Sequence, residues 1–193
     1  MKACLVRCAI FGAAAAALTG CASGTVVNTD DAASPPPAST TPTPPTFGTA
    51  HLVNAADYML DVNGHKGYYF STPSGRWQCA ILPRDRAGCQ AAGGVSAMAV
   101  TGAPTEVPDP TGGTATPNSL VLDRDNDAQF VNLAQPEFAQ PTAVVLPFGN
   151  VLAVAGFRCN VQEQSGVSCV RELTGRGFTF SAEGYSPHYT DVP

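Results

Sequence analysis

Three regimes of hydrophobic patterning follow one another along the 193 residues. Residues 9–18 form a short apolar block, uninterrupted from Ala13 to Ala17. Residues 22 to about 46 carry almost no large apolar side chain. From about Phe47 onward, short runs rich in Val and aromatics alternate with Gly and Pro breaks. Runs of this length and make-up predict strands. They fall at 76–82, 95–101, 119–122, 127–133, 142–146, 151–161, 166–171 and 177–181. Val62-Asn63-Gly64-His65 holds the Asn-Gly pair favoured in tight hairpins, and the aromatic run Tyr68-Tyr69-Phe70 follows it. No capped amphipathic helix of three turns is present; residues 55–60 suit one helical turn. Residues 102–118, with Pro104, Pro108, Pro110, Gly112-Gly113 and Pro117, read as a long exposed loop. The predicted fold over 47–193 is all-β: a small domain of short antiparallel strands and hairpins.

Composition supports that choice. Only 13% of residues are charged, while 19 Gly and 17 Pro favour many turns over long helices. The formal charge is −5. Loss of the first twenty residues would remove Lys2 and Arg7, leaving eight basic residues against 15 acids, or −7. Such a surface repels phosphate backbones and acidic lipid headgroups, so nucleic acid is not an expected partner.

The apolar block explains the first regime. It is too short to span a bilayer, which takes roughly 20 apolar residues. Basic Lys2 and Arg7, a short apolar centre and small residues at its end make a secretory signal over 1–20. Its end, Leu18-Thr19-Gly20-Cys21, resembles the bacterial lipobox: an apolar residue, two small ones and a cysteine. The resemblance implies cleavage before Cys21 and a diacylglyceryl group on its thiol. Two acyl chains hold firmly where one binds marginally, at about 0.8 kcal/mol per buried CH₂. The expected location is the extracytoplasmic face of the cell membrane, reached through covalent lipid on Cys21. A plain secreted protein is the alternative. Cys4 and Cys8 would leave with the signal.

Residues 21–46 then form a lipidated cysteine and a tether. Pro35, Pro36, Pro37, Pro42, Pro44 and Pro45 lie among Ser, Thr and Ala, a stretch that buries too little surface to offset its ordering entropy. Extended at roughly 3 Å per residue, it would hold a domain several nanometres from the bilayer. Thr40, Thr41, Thr43 and Thr46 beside prolines resemble O-glycosylation substrates such as those of mycobacterial lipoproteins; an unmodified spacer is the alternative.

Four cysteines remain, Cys79, Cys89, Cys159 and Cys169, in two C-x₉-C pairs. Export places them where disulfides persist. Four cysteines allow three connectivities. The favoured one is Cys79–Cys89 with Cys159–Cys169, because each pair flanks a polar turn and would staple a hairpin. The similarity extends outward: an aromatic residue, Trp77 or Phe157, stands two places before the first cysteine of each pair. Two related hairpins are therefore expected. Zinc is disfavoured, since this spacing lacks close ligand pairs and no His lies nearby.

The segment Phe70-Ser71-Thr72-Pro73-Ser74-Gly75-Arg76-Trp77-Gln78-Cys79-Ala80-Ile81 resembles the signature F-x-(S/T)-P-S-G-x-(W/I)-x-C-x-(I/M) of an uncharacterised family. Its members are secreted and lipid-anchored actinobacterial, especially mycobacterial, proteins. A later run is similar too: Leu146-Pro147-Phe148-Gly149, Gly156-Phe157-Arg158-Cys159, Gly166-Val167-Ser168-Cys169 and Gly175-Arg176-Gly177-Phe178 through Gly184-Tyr185. The resemblance spans about 67–189 and implies an exported domain, with no activity to transfer. Relatives usually carry two more cysteines, one where this chain has Asn132. Their joint absence implies that those two pair with each other, which favours the two local bridges here.

The search for chemistry yields no catalytic set. No G-x-S-x-G turn occurs, and Pro73-Ser74-Gly75 reads as a β-turn. His51, His65 and His188 are scattered. Phosphate loops are absent, for Gly175-Arg176-Gly177 lacks the required frame. Glu163, Glu172 and Glu183 define no carboxylate pair. Asp123, Asp125 and Asp127 alternate as in a calcium loop, but Ala128 and Ala134 stand where an EF-hand loop has Gly and Glu. A solvated turn is the preferred reading there. Tyr68, Tyr69, Phe70 and Trp77 suit a sugar platform or, more often, a β core. No cofactor is expected.

Three functions follow as expectations. The first is a non-catalytic binding or structural module that meets an envelope protein or wall component. The second, a lipid or glycolipid carrier, requires an apolar cavity of several hundred Å³. The third, a secreted hydrolase, requires titratable groups that converge in one pocket.

Overall fold

The computed structural model describes residues 45–193; the predicted signal, Cys21 and nearly all of the predicted tether lie outside them. A single 3-10 turn, Ala55–Tyr58, opens the domain, and the Asn54 side chain accepts the Ala56 N–H at 3.2 Å. Strands β1 (Met59–Val62) and β2 (His65–Ser71) form the predicted Asn-Gly hairpin. Asn63 and Gly64 both take positive φ, 54° and 82°, as the right-handed twist of a two-residue hairpin demands. β3 (Trp77–Leu82), β4 (Arg86–Ala91), β7 (Ser119–Asp123) and β8 (Gln129–Val131) continue the sheet in antiparallel order. β9 (Val144–Val145) pairs parallel with β2. Between β4 and β7, β5 (Val107–Pro108) and β6 (Thr114–Ala115) make a two-stranded ribbon within the expected loop. The second sheet runs in chain order: β10 (Val151–Val154), β11 (Phe157–Gln162), β12 (Gly166–Arg171), β13 (Gly177–Phe180) and β14 (Tyr185–Ser186).

The two cysteine hairpins are built alike. Cys79 faces Cys89 across β3–β4, and Cys159 faces Cys169 across β11–β12, each pair disulfide-bonded with Cα atoms 4.0 and 4.1 Å apart. Leu82 pairs Arg86, and Gln162 pairs Gly166, so both turns have the same length. The likeness extends to the flanking strands. Phe70 and Leu152 face the first cysteine of each pair, while Leu120 and Phe178 face the second. One four-strand pattern is thus present in each sheet.

Alternation then decides what is buried. The inward residues of both sheets meet in one core: Trp77, Cys79, Ile81 and Leu122 from the first, Phe157, Cys159, Val161 and Phe180 from the second. Trp77 meets Phe180 edge-on at 5.2 Å, and Phe130 meets Tyr185 at 5.0 Å. The result is a β-sandwich with both disulfides at its centre.

Each outer face is also covered. On the first sheet, Tyr69, Ala80 and Val121 pack with Phe138 from the segment after β8. Gly88 makes this possible, since a Cβ there would lie 2.6 Å from the Phe138 ring. The buried Gln90 amide joins the cover to the sheet, accepting the Phe138 N–H at 2.8 Å and donating to Gly94 O at 2.7 Å. Gly88→Ala is therefore expected to lose about 1–3 kcal/mol through overpacking, read as a lower denaturation midpoint. On the second sheet the outer residues Asn160, Ser168 and Thr179 are buried polar groups. The C-terminal tail satisfies two of them: Asn160 donates to Tyr189 Oη and Thr190 O, both at 2.9 Å, and Thr179 donates to His188 O at 2.7 Å, while the Ser168 and Thr179 hydroxyls lie 2.6 Å apart.

Two predicted strands need correction. Residues 95–101 form no strand, although Met98 and Val100 are buried; the Met98 N–H bonds Pro117 O instead of a ladder partner. The run 151–161 is two strands, divided where Ala155 and Gly156 take φ of 54° and 82°.

Candidate functional site

The structure assigns most of the residues singled out above to architecture. All four candidate cysteines are bridged and fully buried. Phe70 and Trp77 fill the interior, with Tyr68 half-buried beside them, and Tyr69 is buried on the outer face of the first sheet against Phe138. Ser74 belongs to its turn: its hydroxyl lies 3.1 Å from Thr72 Oγ1 and accepts the Arg76 N–H at 3.4 Å. Gly75 takes the positive φ that closes this turn. The three histidines lie exposed on separate segments.

The Asp123-Arg124-Asp125-Asn126-Asp127 segment is a turn between β7 and β8. Asp123 Oδ1 accepts the N–H groups of Asp125 and Asn126 at 2.7 and 2.6 Å, and Oδ2 accepts from Asn126 Nδ2 at 2.9 Å. Burial alone would raise the Asp123 pKa, but these hydrogen bonds and nearby Arg86 outweigh it and hold the carboxyl below its usual range. Asp127 instead pairs Arg176 at 3.3 Å. Among the described residues, no group of three His, Cys, Asp or Glu is arranged to hold a metal.

What the fold does bring together is a set of arginines. A cleft of about 290 Å³ opens at the end of the sandwich where β3 turns into β4. It is lined by Arg84, Arg124, Ala155, Gly156, Phe157, Arg171 and Leu173. Arg84 stands in the β3–β4 turn with a φ of 61°. Arg124 comes from the β7–β8 turn, and Arg171 ends β12 opposite Phe157. Ala155-Gly156 is the β10–β11 turn, and its Gly156 carbonyl accepts the Glu172 N–H at 3.0 Å. Leu173 is 68% exposed beside these cations.

The remaining four arginines of the domain are engaged. Arg86 pairs Glu137 at 2.8 Å, Arg158 pairs Glu172 at 3.3 Å and Arg176 pairs Asp127. Arg76 lies over the Trp77 ring at 5.1 Å. Arg84, Arg124 and Arg171 have no carboxylate within 4 Å among the described residues. Their sequence neighbours are directed elsewhere: Asp85 to Arg86, Glu172 to Arg158 and Asp123 to its own turn. Asp125 is exposed on the same turn as Arg124 and does not line the cleft. Unpaired like charges gathered at one opening form a local positive field on an otherwise acidic chain.

A second, smaller cleft of about 210 Å³ lies at the opposite end, between the Thr72–Arg76 turn and the β11–β12 turn. It mixes Ser74, Phe148 and Glu163 without a charge of one sign. No protein-family model, curated protein or solved structure matches the chain. The arginine cleft escapes sequence reasoning because its three cations are far apart in the chain, and each reads there as an ordinary turn or strand-end residue.

Proposed function

We propose that this chain is a cell-envelope lipoprotein whose β-sandwich is a non-catalytic binding module. In this reading it is cut before Cys21, held by lipid on that thiol and displayed on the extracytoplasmic side through the proline-rich tether. The observation that carries the binding half is the make-up of the arginine cleft. It offers guanidinium donors beside Ala, Gly, Phe and Leu. Arginine stays protonated near neutral pH, so it holds anions but trades no proton as general acid or base. The partner is an envelope protein or wall component.

The carrier alternative needs a roomy apolar cavity. Between the two sheets that space is occupied by Phe70, Trp77, Phe157, Phe178, Phe180 and both disulfides, each at most 5% exposed. This packing favours the binding module over the carrier. A hydrolase needs a nucleophile beside a base, and the Ser74 hydroxyl is engaged within its own turn by Thr72 Oγ1 and the Arg76 N–H.

Crosslinking in intact cells, followed by recovery of the tagged chain, tests the reading. Wild type is expected to bring down a defined envelope component, and Cys21→Ala, which lacks the acyl acceptor, to lose most of it. Equal recovery by both forms would contradict a function that depends on anchoring. Turnover of an ester or glycoside by the purified domain would contradict the non-catalytic assignment.

A further inference from the structure

We propose that the cleft formed by Arg84, Arg124 and Arg171 is a binding site for a phosphate ester. The inference rests on the binding-module reading and names the chemistry of its ligand. Three of the seven arginines that follow Cys21 line this one cleft. The other four are satisfied by carboxylates or by the Trp77 ring. Among the described residues these three guanidiniums have no carboxylate partner; gathered around one opening they repel one another, and a bound anion removes that repulsion. The fold supplies these residues from three separate turns and strand ends in both sheets, so the cluster does not follow from local sequence.

The chemistry selects phosphate over carboxylate. A guanidinium presents a planar fork of donors that pairs two oxygens at once. One carboxylate has two oxygens and a single charge, which suits one fork. A phosphate monoester has three free oxygens and nearly two charges at neutral pH, which suits three. The remaining walls fit an organic substituent: Ala155 and exposed Leu173 are apolar. At about 290 Å³ the cleft has room for a phosphate together with a glycerol- or sugar-sized group. The acidic charge elsewhere disfavours a long polyanion and leaves a single phosphate group as the recognised unit. That group is a phosphate monoester carried either by a lipid headgroup or by a soluble sugar or polyol; the chemistry recognised is the same.

The test uses the mature chain with Cys21→Ala, so that no acyl group confuses the readout. Inorganic phosphate, glycerol 3-phosphate, glucose 6-phosphate and acetate are titrated by calorimetry at low salt. Vesicles of phosphatidic acid, whose headgroup is a phosphate monoester, and of phosphatidylcholine, whose phosphate is a diester, are compared by sedimentation. Saturable one-to-one binding of a phosphate ester, at least tenfold tighter than acetate, is expected. Arg84→Gln with Arg171→Gln should weaken it at least tenfold, and the exposed single change Arg124→Gln about threefold. Arg76→Gln, at the other end of the sandwich, should leave it unchanged. Arginine-dependent binding of phosphatidic acid vesicles alone would assign the group to lipid, and binding of the soluble esters alone to a sugar or polyol. Either result supports the site. Acetate binding as tight as phosphate, no saturable binding to any probe, or binding undiminished in the arginine variants would overturn it. If it fails while crosslinking still captures an anchored partner, only the ligand class falls; if both fail, the binding module falls with it.

Discussion

Replacing Cys159 and Cys169 together by alanine is expected to destabilise the domain by about 3 kcal/mol, from the chain-entropy value for closing a loop of this size. The two residues are directly opposed across β11–β12, and both are fully buried in the shared core. The Cys79 and Cys89 pair has the same sequence separation and the same strand pairing, so its removal should have a similar effect. Folded domains have only about 5–15 kcal/mol in hand. Loss of both bridges should therefore leave a chain that is largely unfolded or marginal at growth temperature. Because both bridges lie in one core, their effects need not add. Urea unfolding of each double variant and of the quadruple variant measures this. A loss below about 1 kcal/mol for either pair would show that the bridges add little to packing already sufficient on its own.

Phe178→Ala should be as damaging by a different route. Phe178 has no exposed surface, faces Cys169 across β12–β13 and lies 5.9 Å from Phe180, ring to ring. Truncating a buried phenylalanine removes its transfer free energy and leaves a cavity, together about 3–5 kcal/mol. Phe148→Ala provides the contrast. That ring is 43% exposed, and its loss should change stability by no more than about 0.5 kcal/mol. Chemical denaturation of the two variants side by side separates a filled sandwich from a loose one. Comparable small losses would contradict the filled interior, and the carrier reading would then gain.

Where one local rule decides the outcome, the sequence was readable. Asn63-Gly64 sets a turn whose two positive φ values few other pairs tolerate, and that hairpin lies where expected. The cysteine spacing marks two equal hairpins, and the cross-strand register shows why: a three-residue turn places the pairs opposite one another. Misreadings arise where tertiary contacts override the pattern. Arg86–Ala91 has weak strand character as a sequence, because Gly88 must clear the Phe138 ring and Gln90 must bond the covering segment. Residues 95–101 look like a strand because Met98 and Val100 are apolar, yet those side chains anchor an irregular segment to the core. The polar outer face of β11–β13 looks solvent-facing until the tail lies over it. Tyr189, whose hydroxyl pKa burial pushes up, donates to Asp191 and accepts from Asn160 within that cover.

The candidate site lies at the far end of this scale. Arg84, Arg124 and Arg171 share no motif, and only the meeting of the β3–β4 and β7–β8 turns with the end of β12 makes them neighbours. A cleft of this kind is encoded in topology and register. Local sequence contributes only the long basic side chains.

The anchored display on which the proposed function depends has a direct chemical signature. Mass spectrometry of the N-terminal peptide from the membrane fraction should find a chain beginning at Cys21, with a diacylglyceryl group on its thiol. An unacylated chain recovered free in the medium would contradict the account.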